Sequence, residues 1–288
     1  MLKINKSKIS YKSLSEIFSA ANFRRIMKED GHSSIELKIK NNLVNFEKRS
    51  YSDILNFTYK ELEHNYRNEY VYKNALLNEK ILKSYGFRST TVLNEFKIGK
   101  SIADFVLLNG EAKIFEIKTD LDGFDKLSKQ ILDYQKFANK VYIVVSSKNI
   151  NKITNLYKTT PVGIIEYTTT KKLKTVKEAE NYNFSFNHSI IFKTLRKQEY
   201  LEIVTDYFGF VPDVPNTQIF KKCFELTESI NILEFQKLAF NKIKERKLRC
   251  PEIIESEEIP NELKHICYTL NPTNNEYNKL LTFLNTTI

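Results

Sequence analysis

Two acidic residues and a lysine interrupt neighbouring segments that are otherwise mostly apolar. Asp104 stands in the first segment, and Glu116 and Lys118 flank Ile117 in the second. Carboxylate oxygens are the ligands that Mg²⁺ and Mn²⁺ prefer, and either cation can activate water and stabilise charge on a phosphate. An ammonium group beside them can orient that water. These residue types therefore predict a divalent-metal site for phosphodiester chemistry.

The register of the predicted hairpin decides whether these side chains meet. Glu116 and Lys118 share one strand face because side chains alternate. A turn with Gly110 in the left-handed conformation pairs residues whose numbers sum to an even value, and Asp104 then lies opposite or diagonal to Glu116 on that face. A two-residue Asn-Gly turn would separate them. The alternative for the pattern itself is an exposed ladder of opposite charges without a chemical role.

The surrounding pattern predicts an α/β core of order αβββαβ, followed by a further strand. Glycine, asparagine and apolar periodicity mark its elements. The predicted helices cover residues 69–85, ending at Gly86, and 123–138, with Asp122 as N-cap; the predicted strands cover 91–97, 102–108, 112–118, 141–145 and 162–167. We therefore expect a mixed central sheet.

Helical patterns on both sides of this core predict additions to it. Helices are expected at residues 13–27 and 52–65, and again from residue 189 onward, whereas the lysine-rich stretch 169–187 is typical of a connection or an exposed hairpin. The predicted organisation is an N-terminal helical extension at 1–68, a core at 69–168, and a linker with a helical region at 169–288.

With these elements in place, the chain resembles the PD-(D/E)xK nuclease superfamily. The resemblance runs from Glu79 through Ala103-Asp104-Phe105-Val106 and Phe115-Glu116-Ile117-Lys118 to Gln130 and Tyr134. Within that superfamily it is most similar to the sce7726-type family of bacterial and mobile-element proteins, which share the Leu108-Asn109-Gly110 turn and the Thr119-Asp120 sequence after the lysine. The superfamily's proline is replaced by Ala103. The resemblance covers about residues 70–168.

The resemblance implies a restriction-endonuclease-like fold and a Mg²⁺- or Mn²⁺-dependent nuclease. Matched by position, the metal ligands are Asp104, Glu116 and the backbone carbonyl of Ile117, and the catalytic residues are Lys118, Glu79 and Gln130. Glu79 has an alternative explanation as a carboxylate paired to a buried lysine or arginine. Tyr134 is as typical of the core as of a site.

Composition agrees with a polyanionic partner but does not require one. The net charge is +10, which favours nucleic acid through phosphate neutralisation and is equally typical of a solvated lysine-rich surface. The candidate phosphate contacts are Lys97, Lys100, Lys126 and Lys129, with Lys113 as a further candidate. Three scattered cysteines and the lack of a long apolar run predict a reduced, cytoplasmic protein with no membrane partner.

The sequence thus predicts a metal-dependent nuclease, with DNA as the expected substrate. Two alternatives stay open at this stage. One is a module of the same fold that binds nucleic acid or a protein without catalysis, and the other is a toxin-like nuclease that cleaves RNA. Fold-level resemblance does not separate them.

Overall fold

A six-stranded mixed sheet forms the centre of the molecule. The computed structural model describes residues 2–5, 9–29, 31–85, 90–246 and 248–288. A small antiparallel pair, β1 (Lys3–Ile4) and β2 (Leu43–Val44), lies outside the main sheet. The main sheet consists, in spatial order, of β3 (Thr91–Ile98), β4 (Ser101–Asn109), β5 (Glu111–Lys118), β6 (Lys140–Ser146), β7 (Gly163–Tyr167) and β8 (Leu173–Lys177). The predicted α/β class and the αβββαβ order are confirmed.

Helices surround this sheet on both sides and come from all parts of the chain. The α-helices are α1 (Tyr11–Ser15), α2 (Ala20–Glu29), α3 (Ser33–Asn42), α4 (Tyr51–Asn65), α5 (Glu69–Ala75), α6 (Leu127–Gln135), α7 (Ile150–Leu156), α8 (His188–Phe192), α9 (Lys197–Phe208), α10 (Asn216–Thr227), α11 (Ile232–Lys244), α12 (Pro251–Glu255), α13 (Lys264–Leu270) and α14 (Asn274–Asn285). Short 3₁₀ helices cover Glu16–Phe18 and Asn261–Leu263. None of the helices in the described ranges combines the length and apolarity needed to cross a bilayer.

The two faces of the sheet belong to two separate hydrophobic cores. Helix α5, the N-terminal helices and helices α13 and α14 cover one face, where Phe105, Phe115 and Ile117 are buried. Helices α6, α9 and α11 cover the other, where Val106 and Ile114 are buried. The strands are apolar on both sides because both faces are covered, as is usual for central strands of an α/β sheet.

The β4–β5 hairpin has the register that the metal-site prediction requires. Phe105 pairs with Phe115 and Asn109 with Glu111, and Gly110 between them has φ of 73°. These pairs sum to an even number, so the odd-length turn is confirmed. The ladder pairs end at Phe105–Phe115, and at this point the two strands separate.

The alternation along β4 is interrupted at Asp104. Ala103 and Val106 pack into the core of α6, whereas Phe105 packs into the core of α5. In a regular strand, residues 103 and 106 would point to opposite faces, so the strand is irregular between them. Such an irregularity redirects a side chain, as bulges near active sites do. At this irregular position the direction of the Asp104 side chain follows from its contacts rather than from simple alternation, and its place on the face of Glu116 stays a prediction.

Two predicted helices differ from the structure near the site. The first helix is α-helical only to Ala75 and continues as a π-helix over Leu76–Leu82; its predicted end at Gly86 lies outside the described residues. The second helix begins at Leu127 rather than near residue 123. Asp122 does not cap it, because its Oδ2 accepts hydrogen bonds from the main-chain amide and the hydroxyl of Thr119, both at 2.8 Å. The carboxylate closes the loop after β5 instead.

Candidate active site

Asp104 lies in the gap where β4 and β5 separate. Its Oδ2 accepts a hydrogen bond of 2.7 Å from the main-chain amide of Ile117, which replaces a bond that a continuous ladder would have made. Its Oδ1 is 3.6 Å from Nζ of Lys73 on α5. The carboxylate is thereby fixed between the backbone of β5 and a cation from the neighbouring helix.

Glu116 is held from the opposite side of the sheet. Its Oε1 accepts hydrogen bonds from Nζ of Lys118 at 2.8 Å and from Nε2 of Gln130 at 2.6 Å. Its Oε2 lies 2.7 Å from the hydroxyl of Tyr134, which is also 2.7 Å from the carbonyl oxygen of Ile102. Gln130 and Tyr134 are one turn apart on α6, so that helix fixes the carboxylate by two residues. Tyr134 thus belongs to the site as well as to the core.

The two carboxylates are close enough for the charge of Glu116 to act on Asp104. Burial, followed by the negative charge of Glu116, raises the pKa of Asp104 to about 7, although Lys73 and the Ile117 amide act to lower it. Burial and the same glutamate also raise the pKa of Tyr134. Crowded carboxylates with perturbed pKa values are a common property of functional sites.

A buried oxygen with no hydrogen-bond partner lies next to this pair. Gln130 donates through Nε2 to Glu116, while its Oε1 has no partner within the described residues. An acceptor left in this state costs about 1–3 kcal/mol, which a bound cation or its water would relieve. The donor set of two carboxylates and an amide oxygen suits Mg²⁺ or Mn²⁺.

No group of three His, Cys, Asp or Glu side chains converges as a ready-made metal site in the described ranges. Two carboxylates can still be enough for Mg²⁺, because this cation commonly keeps several waters and uses only one or two protein carboxylates. The residues present therefore fit a hydrated cation held by Asp104 and Glu116. A role for the carbonyl of Ile117 stays a prediction.

Lys73 is the residue that sequence reasoning missed. Its ammonium group, on a side chain only 5% exposed, lies 2.5 Å from Glu69, 3.3 Å from Glu95 and 3.6 Å from Asp104. The spacing of Glu69 and Lys73 is that of an ordinary exposed helix pair, so no pattern of residues indicated that the lysine faces inward. Glu95 has φ of 49°, an unusual conformation for a strand residue that was equally unmarked.

Glu79 does not join the cluster. Its carboxylate pairs with Lys83 at 2.6 Å, is 42% exposed, and lines a separate cleft between α4 and the π-helix. The insertion of π-helical turns rotates this part of the helix relative to the α-helical pattern, so the assumed apolar stripe does not continue to Glu79. Its partner Lys83 is itself 64% exposed, so this is an exposed pair rather than the pairing to a buried lysine or arginine that was the alternative, and a catalytic role for Glu79 stays a prediction.

The lysines predicted to contact phosphate divide into two groups. The side chains of Lys97, Lys100, Lys126 and Lys129 are all exposed. The first two flank the β3–β4 turn, at the end of the sheet where β5 finishes, and the other two precede Gln130 at the start of α6. Lys113 lies at the opposite end of β5, where it pairs with Glu111 at 3.0 Å. We call the four exposed lysines, Lys97, Lys100, Lys126 and Lys129, the basic rim. Lys113 is not part of it.

Comparison with known proteins gives a family but no activity. Protein cII of Enterobacteria phage P4 is 24% identical over 193 residues, which are 62% of this chain and 60% of that protein. The chain thus spans less than two thirds of the length of the curated relative that it matches. A solved protein of unknown function from Silicibacter pomeroyi shares 14% identity over 38% of this chain and 68% of its own, with a TM-score of 0.29, and so small a likeness carries no argument.

The family model described as bacteriophage P4 protein cII matches residues 62–265. This segment begins in α4, includes the whole sheet and ends in α13, so it contains both carboxylates and every described residue that contacts them. The match takes in most of the chain. The protein therefore belongs to the bacteriophage P4 protein cII family.

Proposed function

We propose that this protein hydrolyses phosphodiester bonds in nucleic acid, with DNA as the expected substrate and Mg²⁺ or Mn²⁺ as the cofactor. The observation that supports the proposal best is the crowding of Asp104 and Glu116 beside the unpartnered oxygen of Gln130. A fold gains no stability from two largely desolvated carboxylates that repel each other. Their arrangement is explained if a cation joins them during function.

The chain's own residues would divide the work as follows. Asp104 and Glu116 would hold the cation, which when bound lowers the pKa of water and stabilises charge on phosphate. Hydrolysis forms a bond from a water oxygen to phosphorus, breaks the bond to the leaving oxygen, and delivers a proton to that oxygen. Lys118, whose ammonium lies 2.8 Å from Glu116, would orient the water or donate to a phosphate oxygen.

Gln130 and Tyr134 would act on Glu116 rather than on the substrate. Their hydrogen bonds occupy both carboxylate oxygens and fix the side chain in one orientation. Partners of this kind commonly change metal affinity or activity by about 10–100-fold. In this proposal they are positioning residues, and the resemblance-based role of Gln130 as a catalytic residue is replaced by that role.

A specific observation favours a second function, that of a binding module without catalysis. Lys73 already places a positive charge at Asp104, together with Glu69 and Glu95. If this ammonium balanced the site permanently, no cation would be needed. The basic rim could then bind nucleic acid without cleaving it.

A cleavage assay separates the two functions. Purified protein is incubated with plasmid DNA, single-stranded DNA and RNA, in Mg²⁺, in Mn²⁺ and in EDTA. The nuclease proposal expects cleavage with either metal, no cleavage in EDTA, and a preference for DNA. Binding without cleavage under all three conditions would instead support the binding module, and cleavage of RNA alone would support the toxin-like alternative.

A further inference from the structure

A cavity of about 430 Å³ lies between α4, the π-helix and α13, away from the candidate active site. Its volume is within the range of small-molecule sites. Its walls are polar and include three lysines and two glutamates: Lys83, Lys171, Lys264, Glu63 and Glu79. The π-helix that forms one wall is a rare conformation often found at functional sites.

The charges that line this cavity do not balance. Glu79 pairs with Lys83 at 2.6 Å, and Glu63 pairs with Lys171 at 2.7 Å. Each of the two glutamates thus already neutralises one of the other lysines. Lys264 is left with no carboxylate within ion-pair distance and no hydrogen-bond acceptor among the residues that the structure describes.

Most of the Lys264 residue is buried, with 9% of its surface exposed, although its ammonium is not among the fully buried groups that lack a hydrogen-bond partner. Burial lowers its pKa, and the negative charges of Glu257 and Glu255 offset this only in part. A partly desolvated ammonium group with no paired carboxylate is unfavourable. An anion in the cavity would provide the missing partner.

A second donor faces the same space. The hydroxyl oxygen of Tyr59 accepts a hydrogen bond of 3.1 Å from Nδ2 of Asn74, so its own proton is not used in that bond. Burial raises the pKa of Tyr59, which keeps this proton in place. One ammonium and one hydroxyl donor suit a group with several acceptor oxygens, and lysine is a common ligand of phosphate.

We propose that this cavity binds a phosphate group, carried by a small molecule such as a mononucleotide or by the end of a nucleic-acid strand, with Lys264 as its main cation. The site is independent of the proposed nuclease activity. The hydrogen bonds and ion pairs of Asp104 and Glu116 within the described ranges go to other residues than those that line the cavity.

Thermal unfolding tests the proposal in the full chain. Inorganic phosphate and dAMP are added at constant ionic strength, with NaCl as the compensating salt. Ligand binding to the folded state should raise the melting temperature of the wild type and of Lys264→Arg. Lys264→Met should weaken the affinity by about tenfold or more, since it removes a charge-assisted hydrogen bond. Lys60→Met, at an exposed position on α4, is the matched control and should respond like wild type.

The same variants test the claim that Lys264 lacks a partner. Without phosphate, Lys264→Met should melt at a higher temperature than the wild type, because a partly desolvated charge without a paired carboxylate has been removed. A structural ion pair would give the opposite shift. An unchanged phosphate response in Lys264→Met, or a loss of stability relative to Lys60→Met, would overturn the proposal.

Oligonucleotides with and without a 5′-phosphate distinguish the two sources of phosphate. A preference for the phosphorylated end that Lys264→Met removes would identify a strand end, whereas a dAMP response without that preference would identify a free nucleotide. If neither effect occurs, the site does not exist. Asp104→Asn should leave all of these responses unchanged, so this test and the nuclease test fail independently.

Discussion

Glu199 and Asp104 are both largely removed from solvent, but their pKa values shift in opposite directions. On α9, Glu199 receives two hydrogen bonds of 2.6 Å from the guanidinium of Arg246 and one of 2.7 Å from the amide of Arg196. Although burial acts to raise the pKa of Glu199, these bonds hold it below its usual value. At Asp104, burial and Glu116 raise the pKa to about 7 in spite of Lys73.

The difference shows what each pair contributes. The Glu199–Arg246 pair is complete, with a bidentate geometry that satisfies both partners and fixes α9 against the end of α11. The Asp104–Glu116 pair is incomplete, since two negative charges share one region and an amide oxygen beside them has no partner among the described residues. We interpret the first as a structural pair and the second as a site that functions with a further ligand.

The largest expected effect is the loss of catalysis at the incomplete pair. Asp104→Asn and Glu116→Gln keep the size of the side chains but weaken them as metal ligands. Each should lower metal-dependent cleavage by at least about a hundredfold, as loss of a group that stabilises the transition state does. Cleavage rates on plasmid DNA measure this. Glu199→Gln is the control and should cleave at the wild-type rate per folded molecule; equal rates for Asp104→Asn and wild type would contradict the metal site.

The next largest effect is a loss of stability when the Glu199–Arg246 pair is broken. Glu199→Gln leaves Arg246 without its counter-charge at a site where both side chains are 12% exposed. We expect the free energy of unfolding to fall by about 3 kcal/mol, because breaking a buried ion pair leaves an uncompensated charge. Urea denaturation at pH 7 measures it. A loss below about 0.5 kcal/mol, the size typical of a surface pair, would contradict this interpretation.

Asp104→Asn should have the opposite effect on stability in metal-free buffer. The pKa of Asp104 rises from 3.8 to about 7 on folding, so the folded state binds the proton more tightly. The stability that this proton provides is complete below about pH 4 and is lost as the pH rises to about 7. Asparagine cannot ionise, so the variant should be more stable than wild type at pH 8, by about 1–3 kcal/mol.

Denaturation in EDTA across the pH range checks the sign. The advantage of Asp104→Asn should shrink as the pH falls from 7 towards 4. The disadvantage of Glu199→Gln should also shrink in acid, because the lowered pKa of Glu199 contributes stability only where the carboxylate is ionised. A destabilised Asp104→Asn at pH 8 would mean that Lys73 makes Asp104 a structural residue as well.

The smallest effect concerns the basic rim. Lys126→Ala with Lys129→Ala should reduce the slope of log K against log salt on duplex DNA by about 0.9 for each phosphate that the variant no longer neutralises. Binding is measured at several salt concentrations, with Ca²⁺ present to suppress cleavage. Lys60→Ala, remote from the rim, should leave the slope unchanged. A flat salt dependence for the wild type would remove nucleic acid as the partner.

The sequence predicted those features of the fold and site that depend on local patterns. Glycine at 110 and the apolar runs around it predict the β4–β5 hairpin but leave its register open between two turns, and the observed register is the one that the site prediction requires. Glu116 contacts both Lys118 and Gln130. The proximity of Gln130 follows from its place on the helix after β5.

What the sequence did not predict depends on departures from regular geometry. The interrupted alternation at Asp104 and the π-helical turns after Ala75 both change which way side chains point, and neither has a marker in the pattern of residues. These departures explain why Lys73 was missed and why Glu79 was expected closer to the site than it lies. Periodicity indicates a face only while the backbone keeps its period.

The most direct test of the central claim, that Asp104 and Glu116 together bind a divalent cation, is calorimetric titration with Mn²⁺. Wild type and Glu199→Gln should bind the metal equally, at a temperature where both are folded, and Asp104→Asn should bind it at least about tenfold more weakly. At pH 6, binding to the wild type should release a proton from Asp104, because its pKa is about 7 without metal. Absence of Mn²⁺ binding by the wild type, or equal binding by Asp104→Asn, would contradict the account.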